Sequence, residues 1–595
     1  MSLRKPVCGG VVAVALAVIA AMPLFAQLRD IEDFFRDYSA EWARGNPNLA
    51  ISTRYFTGIE QERLERQLTP VTAAWRAQRV EIASRGLDEL RRMPRTGFSE
   101  QQPLAAELLE SQLDTIVRGA AYDDFTFPLE QFAGANVTLV NTLTVVHPIR
   151  TELDADNYLA RLGQVGLRME EATADARRLA AKGIIPPRFI LRATIAQMEQ
   201  FIAPPPAQNA LVTTLDEKLI AARAVTDERR AGLRAEAERI VAGHVYPAWR
   251  AAIALLQFQS GQATDAAGIW RLPGGAEAYA FQLRRHTTTN LSADAIHQIG
   301  LREVARIEGE IDTILRSIGR TQGSVKERIE QLRKDLAYPL TEAGRTAIMA
   351  DIEVMIREAE KRAAAQFDLR PRSPVMAQPY PRFREANAAA SYSSPPLDGS
   401  RPGIFQMPLR PDQMTKFRLR SLVHHETVPG HHFQIALDME NTYQPRFRRV
   451  RLFGGTTALS EGWGLYAERI AVESGWYEGD PEGLIGALES ELFRARRLVV
   501  DTGIHAFGWT REQAIDYGIE VSEVERYVVN PGQATAYMIG QLRLIELREK
   551  SRAALGDRFN IKDFHNHVLL AGTLPLDMLE RRIDAYIRLR SAGTQ

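Results

Sequence analysis

EVARIEGEIDTILRSI, residues 303–318, carries the pattern from which the fold class is read. Val304, Ile307, Ile311, Ile314 and Ile318 recur at steps of three and four, the spacing that lines up side chains on one face of a helix. Ile348, Ile352, Met355 and Ala359 repeat the pattern, and the Ala- and Arg-rich stretch 209–256 predicts further amphipathic helices packed antiparallel in layers. Helical periodicity of this kind dominates residues 27–365 without a visible repeat, so the chain is expected to be mostly α.

The texture changes over 366–411. DLRPRSPVMAQPYPRF (368–383) and SSPPLDGSRPGIFQMPLRP (393–411) are rich in Pro and Gly, which deny helix and leave short extended candidates at 388–393 and 403–409. A small β element is therefore expected just ahead of residue 423. Helices resume after it, with capping-box starts read at Thr510/Gln513 and Ser522/Glu525. Asn530 with Pro531 at the first turn predicts a helix that carries Tyr537.

With 595 residues the chain can bury a large core, and its 45% apolar and 25% charged residues are ordinary for a globular protein. A formal net charge of zero excludes a nucleic-acid binder, which needs a basic surplus to neutralise phosphates. The opening MSLRKPVCGGVVAVALAVIAAMPLFAQ reads as a secretory leader, residues 1–26, cleaved after Ala26 although Leu24 is larger than such sites prefer. An uncleaved membrane anchor is the alternative, since the apolar run approaches spanning length. Cys8 precedes the apolar run, the wrong place for a lipid-bearing cysteine. Cleavage removes Arg4, Lys5 and Cys8, leaving 72 basic against 74 acidic residues and no cysteine. Any metal in the exported, periplasmic chain would then be held by nitrogen and oxygen.

The chemistry concentrates in VHHETVPGHHFQ, residues 423–434, where four of eleven histidines fall within nine positions. A hydrolytic zinc site needs two imidazoles, a carboxylate, an open position and a free carboxylate to take a proton from water. HExxH meets that need on a regular helix, but here His431 follows His425 by six residues. That spacing leaves the two side chains about 120° apart around an undistorted helix. Pro429 and Gly430 are the residues that could break the helix and bring His431 round to His425. His424 with His431, or His425 with His432, would align at a spacing of seven but lie about 10 Å apart along an unbroken axis. In TTALSEGWGLYAERIAVE (456–473), Glu461 and Glu468 share one helix face, and Gly462 and Gly464 permit close packing. Glu461 is the preferred ligand and Glu468 the preferred partner for a histidine's other nitrogen.

Together HHETVPGHHFQ, LSEGWGLYAE, RLVVDTGIHAFGWT and NPGQATAYMIG resemble the bacterial DUF885 family, strongly over 370–590, and through it zinc metallopeptidases of the gluzincin type. The resemblance implies a large helical metallopeptidase-like shell around a deep cleft, with 27–365 forming one side and 366–595 the catalytic region. It implies His425, His431 and Glu461 as ligands of one zinc ion and Glu426 as general base. The chain departs from the gluzincin pattern in its two extra residues between the histidines and in Leu465, where many gluzincins carry an acidic residue.

Peptide hydrolysis also needs a donor for the developing oxyanion. His505 and Tyr537 are the candidates by analogy with helical gluzincins, and Asp501, one turn before His505, would orient its imidazole. His432 is expected to be a supporting or core residue. GIFQMPL (403–409), with Gln406, is a candidate edge strand to pair with a peptide backbone. Arg496 and Arg497 are candidates to receive a substrate carboxylate. The resulting expectation is an exported zinc peptidase acting on peptides. A zinc amidase or esterase and a non-catalytic peptide-binding protein are the alternatives.

Overall fold

The computed structural model describes Ser2 and residues 30–593, except 100, 381, 386–388, 396, 398, 400, 412 and 413. The expected leader therefore lies, Ser2 apart, outside the described residues. The fold is mostly α with one three-stranded sheet. No helix among the described residues is long and apolar enough to cross a membrane.

Helix α1, Ala293–Ser317, forms from the stripe read in the sequence and lies against the later helix Pro481–His505. Val304, Ile307, Ile311 and Leu315 are buried, whereas Ile314 and Ile318 are only partly covered, so the buried face follows the helix one position further than the isoleucines suggest. Gly300 permits the approach, because a Cβ there would come within 2.8 Å of Leu498 and Val499. One core thus joins residues on both sides of 365. Helix α2, Glu342–Ala363, buries Ile348, Ile352 and Met355 against strand residues Phe405 and Met407 and against Leu419 and Val423 of the next helix.

The sheet comprises β1, Val375–Pro379; β2, Ser391–Ser393; and β3, Gly403–Met407, in the order β1-β3-β2. β1 runs parallel to β3 with Val375 opposite Gly403, and β2 antiparallel with Ser391 opposite Gln406. β3 is therefore the middle strand, not an edge. Its alternation of buried Gly403, Phe405 and Met407 with half-covered Ile404 and Gln406 fits a strand packed on α2 on one face. The sheet seats the helix that follows it.

That helix is α3, Lys416–Glu426, and it is succeeded by α4, His431–Glu440; α5, Thr457–Glu473; α6, Pro481–His505; and α7, Ala536–Leu555. α5 and α7 meet backbone to backbone at Gly462 and Gly540. Thr510 and Gln513 form the expected capping box, but Ser522 does not cap: its helix starts at Val521 without a side-chain cap, and Glu525 instead receives Arg511. Asn530 ends that helix rather than starting the next, and Tyr537 is the second residue of α7.

Candidate metal centre

The helix that carries the first histidine pair stops where proline and glycine stand. α3 ends at Glu426, the Val428–Pro429 peptide is cis, and α4 starts at His431. The indole N–H of Trp463 on α5 donates to the Pro429 carbonyl at 2.8 Å, fixing the break from the neighbouring helix. Gly430 has a φ of −81° and a ψ of −129°, outside the left-handed, helical and extended regions alike. Its requirement is also spatial: a Cβ would overlap the carbonyl oxygens of His424 and His425.

The break turns His431 toward His425, whose ring centres lie 4.7 Å apart and nearly perpendicular. Glu461 Oε2 stands 3.5 Å from His425 Nε2 and 3.2 Å from His431 Nε2, and the three ligand atoms all lie within 4.8 Å of one another. A tetrahedral ion with bonds of about 2.0–2.1 Å holds its ligand atoms about 3.3 Å apart, so the three residues fit such an ion. His424 and His432 point elsewhere. The first meets the Tyr477 hydroxyl at 3.2 Å and the second the Tyr392 hydroxyl of β2 at 3.0 Å.

His425 is oriented from behind. Its Nδ1–H donates to Glu468 Oε1 at 2.8 Å, which turns Nε2 toward Glu461 and His431. Ser421, one turn earlier on α3, donates to the other Glu468 oxygen. Glu468 on α5 thus supplies the acidic support that Leu465 cannot. Gly464 leaves the room, since a Cβ there would come within 2.7 Å of the His425 ring.

Burial alone would strip the proton from His425, but Glu461 and Glu468 push its pKa up to about 9 when no cation is bound. Burial would also raise Glu461, yet the two histidines hold it well below the usual carboxylate range. A cation binding here must displace the imidazole proton. Glu426 follows His425 on α3 but is not one of the converging ligands. Burial raises its pKa, and its Oε2 is buried without a hydrogen-bond partner.

His425, Glu426, His431 and Glu461 line a cleft of about 790 Å³. Tyr537 lines it with its ring stacked 6.5 Å from that of His425, and burial, then Glu461, keep its phenol protonated. Ser391 and Tyr392 place β2 on the cleft wall, whereas Gln406 on β3 does not line it. The exposed strand beside the site is therefore β2, because β3 is hydrogen-bonded on both sides.

His505 and Asp501 do not belong to this site. Both are fully enclosed elsewhere on α6. The Ile269 N–H donates to His505 Nδ1 at 3.1 Å and His505 Nε2–H donates to the Tyr527 carbonyl at 3.0 Å, so neither nitrogen is free for a substrate. Asp501 accepts from the Tyr279 hydroxyl at 2.6 Å and from Gly532 N–H at 3.0 Å rather than orienting His505. Arg496 and Arg497 both line the cleft, but Arg496 is paired with Glu308 at 2.7 Å. Arg494, one turn before Arg497 on α6, also lines the cleft and escaped the sequence reading. Its three-residue spacing from Arg497 was the available signal.

Solved structures share this architecture. A candidate lipoprotein from Colwellia psychrerythraea is 30% identical, with a TM-score of 0.88 over 93% of this chain and 99% of its own. A candidate lipoprotein of unknown function from Shewanella oneidensis is 18% identical, with a TM-score of 0.69 over the same shares, and supports the fold alone. No curated protein matches the sequence. The sequence profile described as bacterial protein of unknown function, DUF885, matches residues 52–583, and the chain belongs to that family.

Proposed function

We propose that the protein is an exported, zinc-dependent peptidase that hydrolyses peptide bonds in the cleft above His425, His431 and Glu461. The observation that carries this reading is the pairing of three converging ligand atoms with a neighbouring carboxylate, Glu426, that is not among them and has an unpartnered oxygen. A protein that merely binds peptides has no use for such a group. When bound at these three residues, zinc would supply a Lewis acid that polarises a carbonyl and acidifies water. Glu426 accepts the proton from the attacking water and returns it to the leaving amine nitrogen. Tyr537, protonated, donates to the carbonyl oxygen as that atom gains charge. The description of the Colwellia psychrerythraea relative as a candidate lipoprotein accords with an exported chain, for which the periplasm is the proposed location.

Elemental analysis of the purified chain, combined with mass spectrometry of a peptide mixture after incubation, tests the reading. About one zinc per chain and new peptide termini are expected, and His431→Ala should lose the metal while His432→Ala keeps it. Stoichiometric zinc in His431→Ala would overturn the ligand set, and an intact peptide mixture would overturn the activity.

A further inference from the structure

One wall of the cleft carries more positive charge than its own carboxylates neutralise. Arg497 is only 6% exposed, and its Nη2 is paired with Glu523 Oε2 at 2.8 Å. Arg526 donates to the same oxygen at 2.9 Å, so two guanidiniums share one carboxylate. Arg497 Nε donates to the Tyr527 hydroxyl at 3.0 Å, whereas its Nη1 is buried with no acceptor. Arg494 has no carboxylate partner among the described residues: its Nη1 donates to the Ser490 carbonyl and hydroxyl, and its Nε is also buried without an acceptor. Both guanidiniums approach the Tyr537 ring, at 4.5 Å for Arg497 and 5.9 Å for Arg494. Leaving buried charged donors unpaired is costly, and an anion is the ligand chemistry that completes them.

We infer that Arg494 and Arg497 form a carboxylate subsite that receives the free C-terminus of a peptide, so that cleavage releases short fragments from that end. This rests on the peptidase reading above. Arg494, half exposed, presents the fork that a ligand reaches first, and Arg497 supplies the uncompensated charge behind it. Tyr537 connects this wall to the ligands. Its ring lies 4.5 Å from the Arg497 guanidinium and 6.5 Å from the His425 ring, so the two are at most about 11 Å apart, the span of roughly three extended residues. A peptide anchored there by its terminal carboxylate would present a bond one to three residues from its end to Glu426. Arg496, its charge answered by Glu308, has no part in this subsite.

The test uses the zinc-loaded Glu426→Gln chain and three probes: N-acetyl-Ala-Ala-Ala-Leu as the free acid, the same peptide as its C-terminal amide, and an amidated analogue with Glu in place of Leu. Calorimetric titration should show the acid binding at least about tenfold tighter than either amide, the gain expected from one charge-assisted contact. Arg497→Gln in that background should erase the difference. Arg494→Gln, at a half-exposed position with less risk to folding, should reduce it by about threefold or more. Equal affinity for acid and amide, a preference that survives both arginine variants, or no binding of any probe would overturn the subsite. A Glu-amide that binds as well as the acid would overturn the C-terminal assignment. The activity reading is separated by turnover in the unsubstituted enzyme. Cleavage of acid and amide at equal rates retains the peptidase and rejects the subsite, whereas carboxylate-selective binding without turnover retains the subsite and rejects the peptidase.

Discussion

His425 and His505 each lie in the last turn of a helix, each is buried, and each has an acidic residue nearby in sequence, yet their ring nitrogens are used differently. His505 has one nitrogen accepting from a backbone N–H and the other donating to a backbone carbonyl. His425 gives one nitrogen to Glu468 and turns the other toward His431 and Glu461. The first arrangement is closed and structural. The second leaves three potential ligand atoms within 4.8 Å of one another, with an unpartnered Glu426 oxygen in the same cleft. The two histidines are told apart by what the second nitrogen meets: a backbone group at His505, and a carboxylate and another imidazole at His425.

The largest break of this contrast should come from Glu426→Gln. Peptide turnover is expected to fall by about 10²–10⁴-fold while zinc content by elemental analysis stays at one per chain. Loss of both together would put Glu426 among the ligands and reject its role as base.

Glu468→Ala attacks the nitrogen behind the ligand. With Nδ1 of His425 released from its carboxylate, zinc affinity measured by competition with a chelating dye should weaken by about 10–100-fold. An unchanged affinity would mean that α3 alone fixes the ring.

Gly430→Val tests the backbone without touching a ligand. A side chain there overlaps two carbonyl oxygens, and relieving the overlap moves His431 relative to His425. Zinc affinity should fall by about tenfold, at a stability cost of about 1–3 kcal/mol typical of overpacking, while far-UV circular dichroism retains its helical signal. Native-like affinity would show that the joint tolerates displacement.

His505→Gln should have the smallest effect, with zinc content and turnover preserved. Its signature lies in pH. Burial pulls the His505 pKa down to about 4, against about 6.5 in the unfolded chain. The unfolded state therefore binds a proton that the folded state refuses between those values. The contribution to stability is full above pH 6.5 and falls by about 1.4 kcal/mol per pH unit as pH drops toward 4. Urea midpoints of His505→Gln should show a shallower decline over that window, and parallel declines would reject the assignment.

Much of this was legible in the residues because the governing rules are local. The three-and-four stripes gave the helices, and Pro429 with Gly430 gave the break. Glu461 and Glu468, seven apart, gave the carboxylate that meets both histidines and the one behind His425. What escaped depends on contacts distant in sequence. His505 looked like an active-site donor because nothing near it in the chain announces Ile269 or the Tyr527 carbonyl. β3 was expected at an edge because its partner β1 lies in a Pro-rich segment that suppresses the strand signal. Arg496 and Arg497 were equivalent as neighbours, yet a helix turns successive side chains by about 100°, which sends one to Glu308 and the other to Tyr537.

The interruption between α3 and α4 also bears on how the molecule would register the arrival of the proposed ion. Had both histidines stood on one rod, loading would leave the scaffold's motions much as before. With His425, His431 and Glu461 drawn from three separate helices, a bound ion acts as a rivet through the joint. The amides of Thr427, Val428 and Gly430 should then exchange their hydrogens for deuterium more slowly in the loaded chain, whereas those of α1 keep their rates, giving a local fingerprint of occupancy that requires no substrate.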